Sequence, residues 1–489
     1  MNSVQERTER LALDERIENK LDKLFINGEW VASENNDFKD IINPFTEQSI
    51  AKVIRGNEAD VDKAVKAAKE AFATWSVTPL EERLEYLEKF YIKYRENAQI
   101  IAETMSMEMG APIPLSKQFL TDEVGDIIRN AIDTARYYPH EEKIGNALVI
   151  KEAYGVMGAI TPWNNPALFF VIKNVVAIAG GCTVVHKPAE ITPLNTYLLA
   201  VLLEECDLPK GVYNLVTGQG RVVGEAMVKH PDVDLISLTG STTAGRRIAE
   251  LSAQVPKKAI LELGGKSACV VLDDANMEEV PQKAINAIMS NSGQLCAAWS
   301  RLVVPREHIE EITAKLVDIV QNMTLGNPLD PATDLGPMVS AHQQQTVREY
   351  IEIGIKEGAT LATGGPEQPH DLPNGSFVKP TIFTNVDNTM RIAQEEIFGP
   401  VLVVIPHDGD EDAIRIANES EYGLHGGVLS GDKDRAISVA RQIRTGQIDT
   451  RGFFFDVQAP FGGYKHSGYG RCMGTHGYEE YLQTKAIMV

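Results

Sequence analysis

The sequence predicts an α/β fold: a parallel, doubly wound sheet followed by a second α/β unit. Three observations carry this. Strand-like runs rich in Val, Ile and Thr alternate with helix-like runs through the middle of the chain, a pattern that points to parallel strands covered by helices. Several strand-like runs end in Gly- or Pro-containing loops, as strand-to-helix turns do. The alternation restarts after about residue 275, and 489 residues leave room for two large domains or three smaller ones.

The elements follow in order. The N-terminal stretch MNSVQERTERLALDERIENKL is charged throughout, lacks the apolar run of a signal peptide and reads as a loose or helical arm. LFINGEWVAS alternates about an Asn-Gly step and reads as a hairpin. Helical spacing covers Glu58–Thr74 and Leu80–Tyr94. ALVIKEAYGVMGAITPWNNP reads as strand, turn, strand, loop. Helices are then expected at Ala167–Ala179, Asn195–Glu205 and AGRRIAELSA. They alternate with the strands CTVVHKP, VYNLVTG, DVDLISLTG, KKAILELGG and SACVVLDD. The second unit has helices at Met277–Ser290, His308–Gln321 and Glu411–Ser420 and strands TIFTNV and VLVVIP. Residues 365–376 form a Pro/Gly surface loop.

Composition excludes several function classes. A net charge of −21 argues against a nucleic-acid partner, whose phosphates need clustered Lys and Arg. No apolar run approaches the length of a transmembrane helix without a charge, so no membrane partner is expected. The five cysteines are odd in number and form no CxxC pair. That indicates neither a disulfide framework nor a zinc site, and reduced thiols fit a cytoplasmic protein. The histidines form no HxxxH or HExxH pattern, so no metal is expected.

Several short segments carry chemistry-bearing residues, each with an ordinary alternative. In LISLTGSTTAGRRIAE a strand leads through Gly240, Ser241 and Gly245 into a helix. Backbone N–H groups there can face a dinucleotide pyrophosphate, though an ordinary strand–helix turn reads equally well. VVHKPAE ends a strand with Lys187 and Glu190, placed either to meet ribose hydroxyls or as a solvated charge pair. Glu262 lies among apolar neighbours in ILELGGKS. Buried, it would be a raised-pKa general base; turned outward, a strand-end carboxylate. Asn164, held between prolines in ITPWNNP, suits an oxyanion donor or a turn. Cys296 sits in the small, polar segment SNSGQLCAAWSR, a setting for a reactive thiol, whereas Cys182 and Cys269 read as core residues.

Taken together, PWNNP, HKPAE, LTGSTTAG, LELGGKS, GQLCAAWSR, EEIFGPV and PFGGYKHSGYG resemble, in order and spacing, the NAD(P)-dependent aldehyde dehydrogenase superfamily. The resemblance runs from about residue 24 to the C-terminus. It implies a Rossmann-like cofactor domain over 21–130 and 154–264, an α/β catalytic domain over 265–463, and a small β oligomerisation element over 131–153 and 464–489. It implies Cys296 as nucleophile, Glu262 as general base and Asn164 as oxyanion donor. Cofactor contacts would come from Thr161, Pro162, Trp163, Lys187, Glu190, Gly220, Gly240, Ser241, Gly245, Leu263, Glu396 and Phe398. The cofactor would be NAD, which Glu190 favours, with NADP as the alternative, and the assembly a homodimer or homotetramer. The implied reaction takes an aldehyde through a thiohemiacetal and a thioester to the acid.

Departures matter. Cys472 stands where many relatives carry a glutamate, which leaves Glu262 to act alone. Asn165 replaces a bulkier residue, and Trp299 stands where relatives often have glycine. Arg451 and Phe453–Phe455 fall in the loop expected at the substrate entrance. The phenylalanines point to an apolar or aromatic aldehyde, and Arg451 to a semialdehyde acid instead. A CoA-acylating enzyme and a non-catalytic binding protein are the remaining alternatives. Glu262 speaks against the first, and the set Cys296, Glu262 and Asn164 against the second.

Overall fold

A computed structural model describes residues 13–118, 123–453 and 456–489. The expectations for residues 1–12 and for Phe454 and Phe455 lie outside these. Lys23–Ile26 and Glu29–Ala32 form the predicted hairpin. Its turn places Asn27 and Gly28 at φ 53° and 73°, the two left-handed positions a tight hairpin requires. The helix Glu58–Trp75 starts in a reciprocal cap. Asn57 accepts from the Ala59 and Asp60 N–H groups, and the Asp60 carboxylate accepts from the Asn57 N–H.

The first sheet has eight strands. Its five parallel strands lie in the order Tyr213–Leu215, Thr183–Lys187, Val156–Ile160, Leu235–Thr239, Lys258–Glu262. The hairpin closes one edge and Gly468–Tyr469 the other, both antiparallel. Every residue from Thr183 to Lys187 and from Leu235 to Thr239 is buried, as strands covered on both faces must be. The second sheet has six strands, running Thr360–Thr363, Thr381–Thr384, Val401–His407, Arg301–Pro305, Ala268–Val271, Gly426–Leu429. All its neighbours are parallel except the first pair. A separate antiparallel sheet joins Glu141–Ile144 and Ala147–Ala153 to the C-terminal strand Leu482–Met488.

Some elements differ from the expectation. The run predicted as one helix over Ala167–Ala179 has π-type hydrogen bonding at Val171–Val175. The expected junction between residues 130 and 131 falls inside a helix, Val124–Tyr137. Burial of Ile127, Ile128, Ala131 and Ile132 at helical spacing holds that helix together. The tail from residue 464 is divided. Tyr464–Lys465 pairs with Tyr422–Gly423, Gly468–Tyr469 joins the first sheet, and only Leu482–Met488 reaches the three-stranded sheet. Among the described residues no helix is long and apolar enough to cross a membrane.

The Asn57 cap gives a simple stability test. Asn57→Ala is expected to cost about 1 kcal/mol in denaturant unfolding, and Asn57→Ser only a fraction of that. Equal losses in the two variants would contradict the capping role.

Candidate active site

The parallel strands of the first sheet run in the order third, second, first, fourth, fifth along the chain. The order reverses between Val156–Ile160 and Leu235–Thr239, and ligands bind at such a reversal, beyond the carboxyl ends of the strands. A cleft lies there, lined by Pro162, Trp163, Gly240, Ser241, Leu263, Glu396 and Phe398. Ser241 accepts from the Ala244 N–H and caps the helix Thr242–Gln254, whose positive end lies at the cleft wall. Trp163 and Phe398 meet edge to face, 5.2 Å between centroids, and make an apolar wall.

A second cavity is lined by Leu168, Phe169, Ile172, Phe453, Phe461 and Met473, with Asn165, His425, Gln447 and Cys472 among them. Asn164 and Cys296 line both spaces. The loop that carries Cys296 is tightly held. Asn291, Ser292 and Gly293 take left-handed conformations in succession, φ 51°, 54° and 74°. Such strain persists only where the surroundings impose it. Here Asn291 Nδ2 donates to the Asn164 carbonyl (3.1 Å), Asn164 Nδ2 to the Gln294 carbonyl (2.9 Å) and Ser292 Oγ to the Gly336 carbonyl (2.8 Å). Gln294 Oε1 accepts from the Val339 N–H at 2.9 Å. The amide of Asn164 is thereby fixed beside the cysteine.

Two glycines bring the remaining groups together. A Cβ on Gly264 would stand 2.1 Å from Glu396 Oε2, and one on Gly265 2.6 Å from the Cys296 carbonyl. The Gly265 N–H donates to Glu396 Oε1 at 2.9 Å. Just upstream, Glu262 is buried and neither of its oxygens has a protein hydrogen-bond partner. Burial pushes its carboxyl up to about 8, opposed by the positive charges of Lys173 and Arg471. Lys173 is itself buried and donates to Ser237 Oγ at 2.9 Å. Burial, then the charges of Glu396 and Glu262, pushes the Cys296 thiol up to about 12, while the N–H groups of Cys296 and Ala297 favour the thiolate. Glu396 is likewise pushed up to about 7 by burial.

The aldehyde dehydrogenase family model matches residues 30–487. The chain belongs to the aldehyde dehydrogenase family. A 3-succinoylsemialdehyde-pyridine dehydrogenase of a Pseudomonas species is 42% identical over 467 residues, covering 95% of this chain and 98% of that one. Aldehyde dehydrogenase C of Pseudomonas syringae, solved with NAD+ and octanal, superposes with a TM-score of 0.96 at 40% identity over 98% of both chains. Betaine aldehyde dehydrogenase of Staphylococcus aureus, solved with NAD+, gives 0.94 at 36% identity over 98% of this chain and 96% of that one.

Against this family background, the other expected cofactor residues lie outside the cleft lining. Thr161 turns its hydroxyl to His186 Nε2 (2.9 Å), while its N–H donates to the Lys187 carbonyl. Lys187 and Glu190 are not a solvated pair. Lys187 is buried, donates to the Pro188 carbonyl and is pushed down to about 8 by burial, whereas Glu190 pairs with Arg55 at 2.8 Å. Gly220 has open space where a Cβ would go. A Cβ on Gly245 would meet Leu263 Cδ1 at 2.4 Å, so this glycine lets the helix approach the strand end.

The departures also acquire positions. Asn165 accepts from the Leu168 N–H as a helix cap while lining the second cavity. Cys472 is buried at the same cavity, its thiol pushed up to about 12 by burial. Trp299 is fully buried, donates to His425 Nδ1 (3.1 Å) and meets Phe453 edge to face at 5.7 Å. It therefore backs the two side chains that wall the cavity. Arg451 is exposed and outside that wall. Lys173, Asn291, His425 and Gln447 escaped the reading of the sequence. Only Lys173 carried a signal, as the charge inside ALFFVIKNVVAIAGG.

Trp299 depends on Gly427, where a Cβ would lie 2.5 Å from the indole. Gly427→Ala is expected to lose about 1–3 kcal/mol by overpacking. Most of that loss should vanish in a Trp299→Leu background. An equal loss in both backgrounds, measured by denaturant unfolding, would contradict the contact.

Proposed function

We propose that the protein oxidises an apolar or aromatic aldehyde to its carboxylic acid, using NAD+ and a covalent intermediate on Cys296. The observation that carries this reading is the position of Cys296 and Asn164 at the junction of two spaces, a polar-rimmed cleft and an apolar cavity.

The cleft suits a dinucleotide. It offers an aromatic wall, a helix N-terminus for a pyrophosphate and the Glu396 carboxylate for ribose hydroxyls. The NAD+ held by the P. syringae and S. aureus relatives supports NAD as the cofactor, while Glu190 lies outside the cleft lining in an ion pair with Arg55. Bound NAD+ supplies the hydride acceptor. In this reading the unit built on the first sheet holds most of the cofactor, with Glu396 and Phe398 reaching the cleft from the unit built on the second sheet, which carries Cys296. The three-stranded sheet, whose strand Leu482–Met488 is largely exposed, bridges copies into a dimer or tetramer.

Cys296 Sγ attacks the aldehyde carbon as thiolate, because a neutral thiol is a poor nucleophile. The oxygen takes up negative charge against the Asn164 amide and the Cys296 N–H. Loss of hydride from that carbon leaves a thioester on Cys296. Glu262 then removes a proton from water, whose oxygen adds to the thioester carbon and expels the thiolate as the acid forms. A raised pKa suits Glu262 to take that proton near neutral pH and release it again. With Glu262 in place, water is the acyl acceptor, and turnover needs neither CoA nor phosphate. Arg451 is exposed, and among the described residues lining the cavity there is no lysine or arginine to meet a substrate carboxylate. The octanal bound by the P. syringae relative is an apolar aldehyde too. Five free cysteines fit a reducing compartment, and we place the enzyme in the cytoplasm.

A panel of aldehydes, followed at the reduced-nicotinamide absorbance with NAD and NADP separately, is expected to show turnover with NAD and apolar aldehydes. Cys296→Ala should lower it by roughly 10⁴-fold or more. Undiminished NADH formation in that variant would refute the mechanism. The rate of acid release in single turnovers should rise with pH and level off above about 8, as Glu262 loses its proton. A rate independent of pH across that range would remove Glu262 from the step.

A further inference from the structure

Among the described residues that line the apolar cavity, only His425 can become a cation. Its hydrogen bonding decides whether it does. Trp299 Nε1 lies 3.1 Å from His425 Nδ1, and the two rings are close to coplanar, 19° apart. An indole N–H only donates, so Nδ1 accepts and carries no hydrogen. The one ring hydrogen is then on Nε2, which faces the Asp449 carboxylate at 3.4 Å. Phe453 meets both rings edge to face, at 5.7 Å and 5.5 Å, and holds the pair in register.

A second proton on His425 would have to sit on Nδ1. It would set two donors against each other and leave the Trp299 N–H unpaired. Trp299 is fully buried, so solvent cannot take that N–H instead. Nor can the indole draw back, because it packs so closely on Gly427 that a Cβ there would lie 2.5 Å away. Asp449 is the charged group facing the ring. A carboxylate there would draw a second proton, and the indole N–H is the group that turns it away. The other titratable groups on the surrounding elements are the thiols of Cys269, Cys296 and Cys472, all pushed up by burial, and Lys283, which pairs with Glu279 at 2.7 Å.

We propose that Trp299 is a specificity-determining residue: by holding His425 uncharged it leaves the cavity wall without a positive charge, so that uncharged aldehydes are taken and aldehydes bearing a carboxylate are refused. This rests on the reading of the cavity as the aldehyde site. Trp299 lies behind the wall and acts through His425. No contact between His425 and the substrate is required. In poorly hydrated space a charge on the wall is felt several ångströms away. A carboxylate entering a cavity without a cation loses its hydration and gains nothing in return.

The test compares 4-carboxybenzaldehyde, ionised throughout, with its uncharged methyl ester from about pH 5.5 to about pH 8.5, as the acid-to-ester ratio of kcat/KM. The ratio cancels the titrations of Cys296 and Glu262, which both substrates share. In the wild type it should be roughly a tenth or less and level with pH. Trp299→Phe keeps a ring and removes the donor. Its ratio should climb about tenfold as pH falls through about 6.5, where an ordinary imidazole takes up a proton, and adding His425→Gln should level it again. His425→Gln alone should leave the wild-type ratio unchanged, since an uncharged imidazole adds no charge; this arm does not depend on the folding of a Trp299 variant. A wild-type ratio near one or rising toward acid pH would overturn the proposal. So would a fall in the ratio in His425→Gln, a level ratio in Trp299→Phe, or a rise that survives His425→Gln. Calorimetric binding of both compounds to the Cys296→Ala protein, with and without Trp299→Phe, reads the same preference without turnover. The predicted preference there with no oxidation by the wild type would refute the catalytic reading and leave the Trp299 assignment standing.

Discussion

The site depends on a backbone crossing at Gly264–Gly265 that no side chain would allow. The strand carrying Glu262 ends there, the Glu396 carboxylate lies against the first glycine, and the Cys296 carbonyl lies against the second. Three segments separated by more than thirty residues are thereby brought to van der Waals contact. Methyl groups at these positions would push Glu396 away from the cleft or Cys296 away from the junction. The LELGGKS motif is therefore a spatial requirement, and its neighbours in the sequence follow from it. Gly293, upstream of Cys296, presses against the Gly399 carbonyl in the same way.

Burial sets the chemistry of what the crossing assembles. Glu262, Glu396, Lys173 and Cys296 share one poorly hydrated region, and desolvation is the largest influence on each of them. It lifts the acids and the thiol and lowers the lysine. A carboxyl near neutrality can take a proton from water and give it up again. The thiol has the harder task, since both nearby carboxylates oppose its ionisation. In the proposed mechanism the rigid Asn164 amide and the backbone N–H groups serve the first step, receiving negative charge without having to reorganise. Cys472 is a buried thiol beside Glu262, and the positive charge of Lys173 works against the rise that burial imposes on the Glu262 carboxyl.

The fold was legible because its signals are local. Alternating β-branched and helical runs marked the strands of both sheets, and the Asn-Gly hairpin announced its own turn. The helix Val124–Tyr137 spans the junction expected at residues 130–131 because that boundary rests on the resemblance to a family, while the local apolar spacing at Ile127, Ile128, Ala131 and Ile132 marks a continuous helix. The candidate residues Cys296, Glu262 and Asn164 were visible one by one, yet only the order of the motifs, through the family resemblance, suggested that they meet. His425 and Asn291 carried no local signal. Their roles come from what lies opposite them, which a periodicity cannot encode. Trp299, an oddity in the sequence, became intelligible once Gly427 was seen across from it.

The central claim is that Cys296 carries the acyl group between the two spaces and that Glu262 releases it. Trapping that group is the most direct measurement. The Glu262→Gln protein, mixed with an aldehyde and NAD+ and then digested for peptide mass spectrometry, should show one acyl mass added to the peptide containing Cys296, with about one NADH formed per subunit. An unmodified Cys296 peptide, or an acyl group on Cys472 instead, would contradict the account.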